Sequence, residues 1–147
     1  MSENVLEMLE AKEAIREVID RFSNLECDVA AQKALFTDDT HVTVYMGGKK
    51  TMDICGADEL VKQFSAFTTG VKDSHHMNGQ QVIEVEGDTA TDVHYCKALL
   101  ITEQDGKAMI SDNYIRYTDK LVKKNGKWLI SEREQYFVCS ETRELKA

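Results

Sequence analysis

Proline is absent from this 147-residue chain. No proline-rich spacer can therefore divide it, and no repeat or low-complexity tract does so either. A single domain over residues 1–147 is expected, long enough to bury one hydrophobic core. Long apolar runs are also missing: a helix spanning a membrane needs roughly 20 apolar residues. The start, MSENVLEMLEAKEAIREV, is acidic and periodic, whereas a secretory signal opens basic and then turns apolar. These features point to the cytoplasm, with no membrane partner. Basic residues are in short supply, 18 Lys and Arg against 26 Asp and Glu for a net charge of -8. That excludes the basic groove that nucleic-acid binding requires; the cluster from Lys120 to Lys127 flanks a turn and reads as a solvated tip. Cysteines are few and scattered, at 27, 55, 96 and 139. Without a Cys-x-x-Cys pair or a secretory context they are expected as free thiols, in neither disulfides nor a zinc site. No Gly-x-Gly-x-x-Gly, phosphate-binding loop or Gly-x-Ser-x-Gly elbow occurs, so no nucleotide or other cofactor is expected.

What is present is a change of period. Ala11, Ile15, Val18, Ile19, Phe22 and Leu25 recur three and four apart, which predicts a helix from about Asn4 to Glu26 with one apolar face. Asp28 is placed to cap a second helix over Val29 to Phe36. Strands over His41 to Met46 and Thr51 to Ile54 flank Gly47-Gly48, a hairpin signal. A third helix is expected from Ala57 to Phe67, with Leu60, Val61, Phe64 and Phe67 on its apolar face, followed by a loop over residues 68–74. From His75 the chain reads as strand, broken only at Gly87, Gly106 and Asn125-Gly126. Strands that long cannot lie flat because sheet twist accumulates. The expected fold is α+β: a cone-shaped, curved antiparallel sheet wrapped around three helices from the N-terminal half. Where the helices fill the cone incompletely, a concave space remains, the default place for a ligand.

Four segments in this order, Leu35-Phe36-Thr37-Asp38-Asp39, Gly56-Ala57-Asp58-Glu59-Leu60, His75-His76-Met77-Asn78-Gly79 and Asn125-Gly126-Lys127-Trp128, together with a carboxylate near the end of the first helix, resemble the SnoaL-like proteins. These belong to the nuclear transport factor 2-like superfamily of cystatin-like folds, and the resemblance runs from about Leu6 to Phe137. It implies an apolar pocket inside the cone, which scytalone dehydratase, ketosteroid isomerase and polyketide cyclases use for chemistry. Tyr45 and His76 are similar to the strand tyrosine and first histidine of the dehydratase pattern, and Glu26 stands where that pattern has Asp. Leu25 replaces its helix tyrosine.

The residues themselves suggest acid-base work. An imidazole facing a carboxylate in a dry pocket can take and return a proton, with the carboxylate fixing its tautomer. His76 with Glu26 is the candidate catalytic pair, and Tyr45 the candidate hydroxyl that polarises a carbonyl. Asn78 shares the side of the strand taken by His76 and is a candidate ligand contact, as are Phe22, Phe64 and Phe67. His94, with Asp92 two residues before it, is a further ligand-binding candidate or, equally, half of a polar pair on the outer face. His75 and His76 point to opposite faces of a strand, so no metal site is expected. Trp128 is placed on one parity with Ile130, Glu132, Glu134 and Tyr136 and reads as a sheet anchor. The activities suggested are proton transfer leading to dehydration, isomerisation or ring closure on a small apolar carbonyl compound, or ligand binding and assembly without turnover. Whichever face of the long strands points outward carries apolar residues such as Val93, Tyr95 and Leu99, and a homodimer is expected to cover them.

Overall fold

The computed structural model describes residues 2–146, with side chains from residue 4. Helix α1 spans Ser2–Asn24, and α2 is a single turn, Val29–Gln32, which tightens into a 3-10 turn at Lys33–Leu35. The strands are β1 Phe36–Met46, β2 Lys49–Cys55, β3 Val71–Glu86, β4 Thr89–Gln104, β5 Lys107–Lys124 and β6 Lys127–Glu144, with α3 at Ala57–Thr68 between β2 and β3. They form one curved, unclosed sheet in the order β2-β1-β6-β5-β4-β3. The α+β architecture of three helices and a curved sheet is as the sequence predicts.

Three local expectations are overturned. The second helix stops four residues earlier than predicted, and strand begins at Phe36, because Phe36, Thr37 and Thr40 are buried against the sheet. The stretch expected as a loop to Ser74 is strand from Val71, pairing with β4. The sheet is also mixed, since β1 runs parallel to β6. Parallel neighbours need a long crossover instead of a tight turn. The whole chain between the first hairpin and Lys127 supplies it.

Burial on one face of the sheet follows from the pleat. Val42 and Val44 of β1, Ile54 of β2, Ile83 of β3, Leu121 of β5 and Ile130 of β6 pack against Ile15 and Ile19 of α1 and Leu60 of α3. Trp128 joins this core, 5% exposed, as the anchor it was expected to be. On β4 the buried residues are Ala90, Asp92, His94, Cys96 and Ala98, so Tyr95 and its parity face outward. Cys96 behaves as a small apolar group, its thiol pushed up to about 11 by burial. All four cysteines are free.

The parity expected for β6 does not survive a bulge. Lys120 pairs with Glu132 and Leu121 with Ile130, leaving Ser131 unpaired. An unpaired residue reverses the alternation beyond it. Trp128 and Ile130 therefore point inward while Glu132, Glu134 and Tyr136 point out, and the inward residues become Arg133, Gln135 and Phe137. Cross-strand partners then place Val42, Arg133, Asp119, Asp92 and Ile83 in one inward row, and Val44, Gln135, Tyr117, His94 and Gln81 in the next.

The first of these rows contains a buried ion pair. Arg133 donates from Nε to Asp119 Oδ1 and from Nη2 to Asp119 Oδ2, both at 2.8 Å, with the two side chains 1% and 0% exposed. Burial alone would push the guanidinium pKa down, and the carboxylate beside it holds it above its usual value instead. Arg133 lies over the rings of Phe22 and Tyr117, 4.1 and 4.4 Å from their centroids, so its flat faces are covered where its edge is bonded. Removing one member of such a pair leaves an uncompensated charge in the interior. Asp119→Asn is expected to lower the unfolding free energy by about 3–5 kcal/mol. The joint replacement Asp119→Leu with Arg133→Met should cost far less, and urea denaturation of the two variants checks both outcomes.

Candidate active site

Where α1 ends, Glu26 turns the chain with a left-handed backbone, φ 56°, a conformation that residues other than glycine adopt rarely. Two contacts hold it. The buried side chain of Gln32 donates to the carbonyls of Phe22 (3.0 Å) and Glu26 (2.9 Å), satisfying groups that the end of a helix otherwise leaves open. Glu26 N also donates to Ser23 O at 3.0 Å. The consequence is a carboxylate aimed back at the start of β3.

There it accepts three hydrogen bonds. His76 Nδ1 pairs with Glu26 Oε2, His76 N donates to Oε1 at 3.1 Å, and Ser74 Oγ donates to Oε2 at 3.0 Å. The side chains are 12% exposed for His76 and 33% for Glu26. Burial pushes the Glu26 carboxyl up, but the bonds from His76 and Ser74 outweigh it and hold it below its ordinary value of 4.5. Glu26 is thus an anion near neutrality. Because it takes Nδ1–H, the ring nitrogen available to anything else is Nε2.

Both residues border a cavity of about 320 Å³ enclosed by the helices and the inner sheet face. Its walls are mainly apolar: Phe22 from α1, Phe36, Val42 and Val44 from β1, Leu60 and Phe64 from α3, and Phe137 from β6. Phe67, 65% exposed, stands on the same wall. Phe22, Phe64 and Phe67 line the space without filling it.

Three expected site residues lie elsewhere. Tyr45 shares the outward parity of β1 and stacks on Tyr136, with ring centroids 6.2 Å apart; Val42 and Val44 hold the inward positions. Asn78 faces inward but is taken up by α1, accepting from Ser23 Oγ at 2.8 Å and donating to Asp20 Oδ1 at 3.0 Å. His94 is 1% exposed and pairs with Asp92, as its spacing suggested, but on the inner face; it stacks on Tyr117 at 4.8 Å, behind the cavity wall.

The cavity's polar wall was missed. Tyr117, Asn113, Arg133 and Gln135 all border it, and only the bulge on β6 turns Arg133 and Gln135 inward. A lone arginine between Glu132 and Glu134 was the one available signal. Two groups of side chains among the described residues have metal-ligand chemistry, Asp92–His94–Asp119 and His41–Asp53–Cys55. In the first, Arg133 already bonds both oxygens of Asp119. The second is on the exposed β1–β2 hairpin, where His41 Nε2 lies 2.6 Å from Asp53 and Lys50 also pairs with that carboxylate. Neither group borders the cavity.

A curved sheet closed by three helices over an apolar space is the cystatin-like fold of the nuclear transport factor 2-like superfamily. The SnoaL-like domain model matches residues 7–134, and the chain belongs to that family. Among solved structures it is similar to a candidate scytalone dehydratase from Novosphingobium aromaticivorans DSM 12444, with 23% identity over 100% of this chain and 95% of that one at a TM-score of 0.77. It is also similar to a hexachlorocyclohexane dehydrochlorinase, LinA-type3, from Novosphingobium barchaimii LL02, with 15% identity over 97% and 94% of the two chains at a TM-score of 0.74. An NTF2-like protein with a cystatin-like fold from Novosphingobium aromaticivorans shares 23% identity over 92% and 87%, with a TM-score of 0.65. At such identities the likeness speaks for the fold alone. No curated protein matches the chain.

The state of Glu26 has a consequence for stability. A carboxyl whose folded pKa lies below its unfolded value stabilises the fold above the unfolded value, and that contribution drains away as pH falls through the folded one. Wild type is therefore expected to exceed Glu26→Gln in stability near neutrality, with the gap closing on acidification below 4.5. Urea denaturation across that range measures it.

Proposed function

We propose that this protein catalyses proton transfer on a small, mainly apolar substrate, with Glu26 and His76 as its acid-base pair. The observation that carries the reading is their direct contact on the wall of an apolar cavity. Glu26 orients the imidazole and stabilises the imidazolium that forms when Nε2 accepts a proton from a carbon acid. His76 then returns that proton at another carbon, giving isomerisation, or to a departing hydroxide, giving dehydration. Phe22, Phe64 and Phe67 hold the apolar body of the substrate and exclude water. The dehydratase and dehydrochlorinase among the similar structures both carry names for eliminations, which supports a reaction opening with proton removal. A carbonyl compound suits this chemistry because the carbonyl acidifies its neighbouring C–H. Four unpaired thiols fit a reducing compartment such as the cytoplasm.

The test reports proton removal whatever the natural product. Deuterium uptake from heavy water into cyclic ketones, 2-tetralone among them, is followed by proton NMR. Wild type should accelerate exchange, and His76→Gln should cut that rate by roughly 100-fold or more. Catalysed exchange that survives His76→Gln overturns the reading. Absence of exchange across the panel favours a binding role without turnover.

Assembly has its own support on the outer face. Tyr45, Tyr136, Arg116 and Tyr95 form one row across four neighbouring strands, and Arg116 lies 4.8 Å from the centroid of the Tyr136 ring. Tyr95, Tyr114 and Val138 on this face are 41%, 44% and 54% exposed. A second copy of the chain covering this row gives a homodimer. Sedimentation velocity at micromolar concentration should show a dimer that Tyr136→Asp weakens; a monomeric wild type contradicts it.

A further inference from the structure

The cavity has polar groups that the acid-base pair does not use. Gln135 is 7% exposed and Tyr117 3% exposed, they are direct cross-strand neighbours on β6 and β5, and both border the cavity. Neither side chain makes a hydrogen bond to another described residue. Beside them, Arg133 commits Nε and Nη2 to Asp119 while its Nη1 is buried without a partner. Buried polar groups are almost always paired. Arg133 Nη1 is such an exception, and Tyr117 and Gln135, whose polar ends bond no described residue, border the cavity beside it; together they mark a place where a guest completes the bonding.

The chemistry of that place is donor-rich. Burial pushes the Tyr117 phenol pKa upward, so it stays a neutral O–H donor. The guanidinium 4.4 Å from its ring centroid favours negative charge nearby. The Gln135 carboxamide adds N–H donors. Asn113, also on the wall, is already committed: Nδ2 donates to Ala98 O at 3.1 Å, and Oδ1 accepts from Ser140 at 2.8 Å. Position matters as well. His76 pairs with Ala98 on β4, whereas Tyr117 pairs with His94, four residues along the same strand. That is about 13 Å at the rise of an extended strand.

Resting on the reading of the cavity as a ligand site, we propose that Tyr117 and Gln135 form an oxygen-recognising subsite remote from His76. The ligand is a mainly apolar compound carrying a carbonyl or similar acceptor oxygen, which docks on these two donors while its apolar body lies along the phenylalanine wall. Tyr117 and Gln135 are thus specificity-determining residues, separate from the pair that moves the proton.

The probes are 1-tetralone and tetralin, which share a bicyclic body and differ by one carbonyl oxygen. A carbonyl cannot bond a bare His76 Nε2, so a preference for the ketone reports donors elsewhere. Affinities are measured by calorimetry for wild type, Tyr117→Phe, Gln135→Leu, the double variant and His76→Leu. The ketone-to-hydrocarbon affinity ratio should fall about tenfold or more in the double variant, on the scale of two hydrogen bonds, and stay unchanged in His76→Leu, which adds no donor. Because neither polar end has a hydrogen-bond partner in the protein and Tyr117→Phe keeps the ring that stacks on His94, neither Tyr117→Phe nor Gln135→Leu should lower the melting temperature. An unchanged ratio with both probes bound overturns the subsite and leaves the acid-base reading standing. A marked loss of stability in Gln135→Leu also overturns it, since the side chain then has a structural partner. If neither probe binds wild type, the ligand-site reading falls and the subsite with it.

Discussion

A sheet whose inner strands reach 18 residues offers more inward surface than three helices, one of them a single turn, can cover. Everything else about the cavity follows from that mismatch. At one end, Ile15 and Ile19 meet Ile54, Leu121 and Ile130, and packing is complete. Toward the end of α1 the helix gives out at Asn24, and the space between Phe22 and Phe137 stays open. Bulges on β2, β3 and β6 bend the strands around the helices and aim side chains that a regular pleat would have turned away.

The polar residues on this inner face divide into those serving the fold and those left over. Asp119 and Arg133 satisfy each other inside the core, and Asp92 with His94 forms a second pair one strand further on. Burying four ionisable groups in two inward rows is costly unless each has a partner. Arg133 also bridges the two functions of the region: its bonded edge secures β6 to β5, and its faces hold Phe22 and Tyr117, which are cavity wall. The wall is thereby tied to the core, which keeps the cavity's shape from depending on flexible loops.

What the sequence made legible was whatever rests on period and punctuation. Heptad-like spacing located α1 and α3, and Gly87, Gly106 and Gly126 marked the hairpins, all with positive φ. Glu26 and His76 lie 50 residues apart, and it was the resemblance to the dehydratase pattern, in which a carboxylate ends the first helix and a histidine opens the long strand, that suggested the pair. Illegible were the features set by register. Nothing in Ile130-Ser131-Glu132 announces that Ser131 is unpaired, yet that one residue decides whether Arg133 or Glu132 faces the core. Tyr45 was assigned to the pocket by resemblance, while Val42 and Val44 on either side of Thr43 already claimed the inward parity. His94 was placed on a face correctly only as one of two alternatives, because Tyr95 and His94 are comparably plausible in a core until their neighbours are known.

Glu26 must satisfy two demands that pull in different directions. As a fastener it accepts bonds from Ser74 and from both the backbone and ring of His76, which favours a permanently ionised carboxylate. In the proposed reaction, as the partner of a base, it must not hold the imidazole so strongly that the proton cannot leave Nε2 again. A partly exposed carboxylate resolves the conflict: with a third of its side chain open, water screens the attraction to an imidazolium, while the three donors still fix its orientation. The left-handed turn at Glu26 serves this arrangement, because a helical residue there would carry the carboxylate along the axis of α1 and away from β3. Strain in the backbone is accepted at the one position where the end of the helix, the first strand of the meander and the cavity meet.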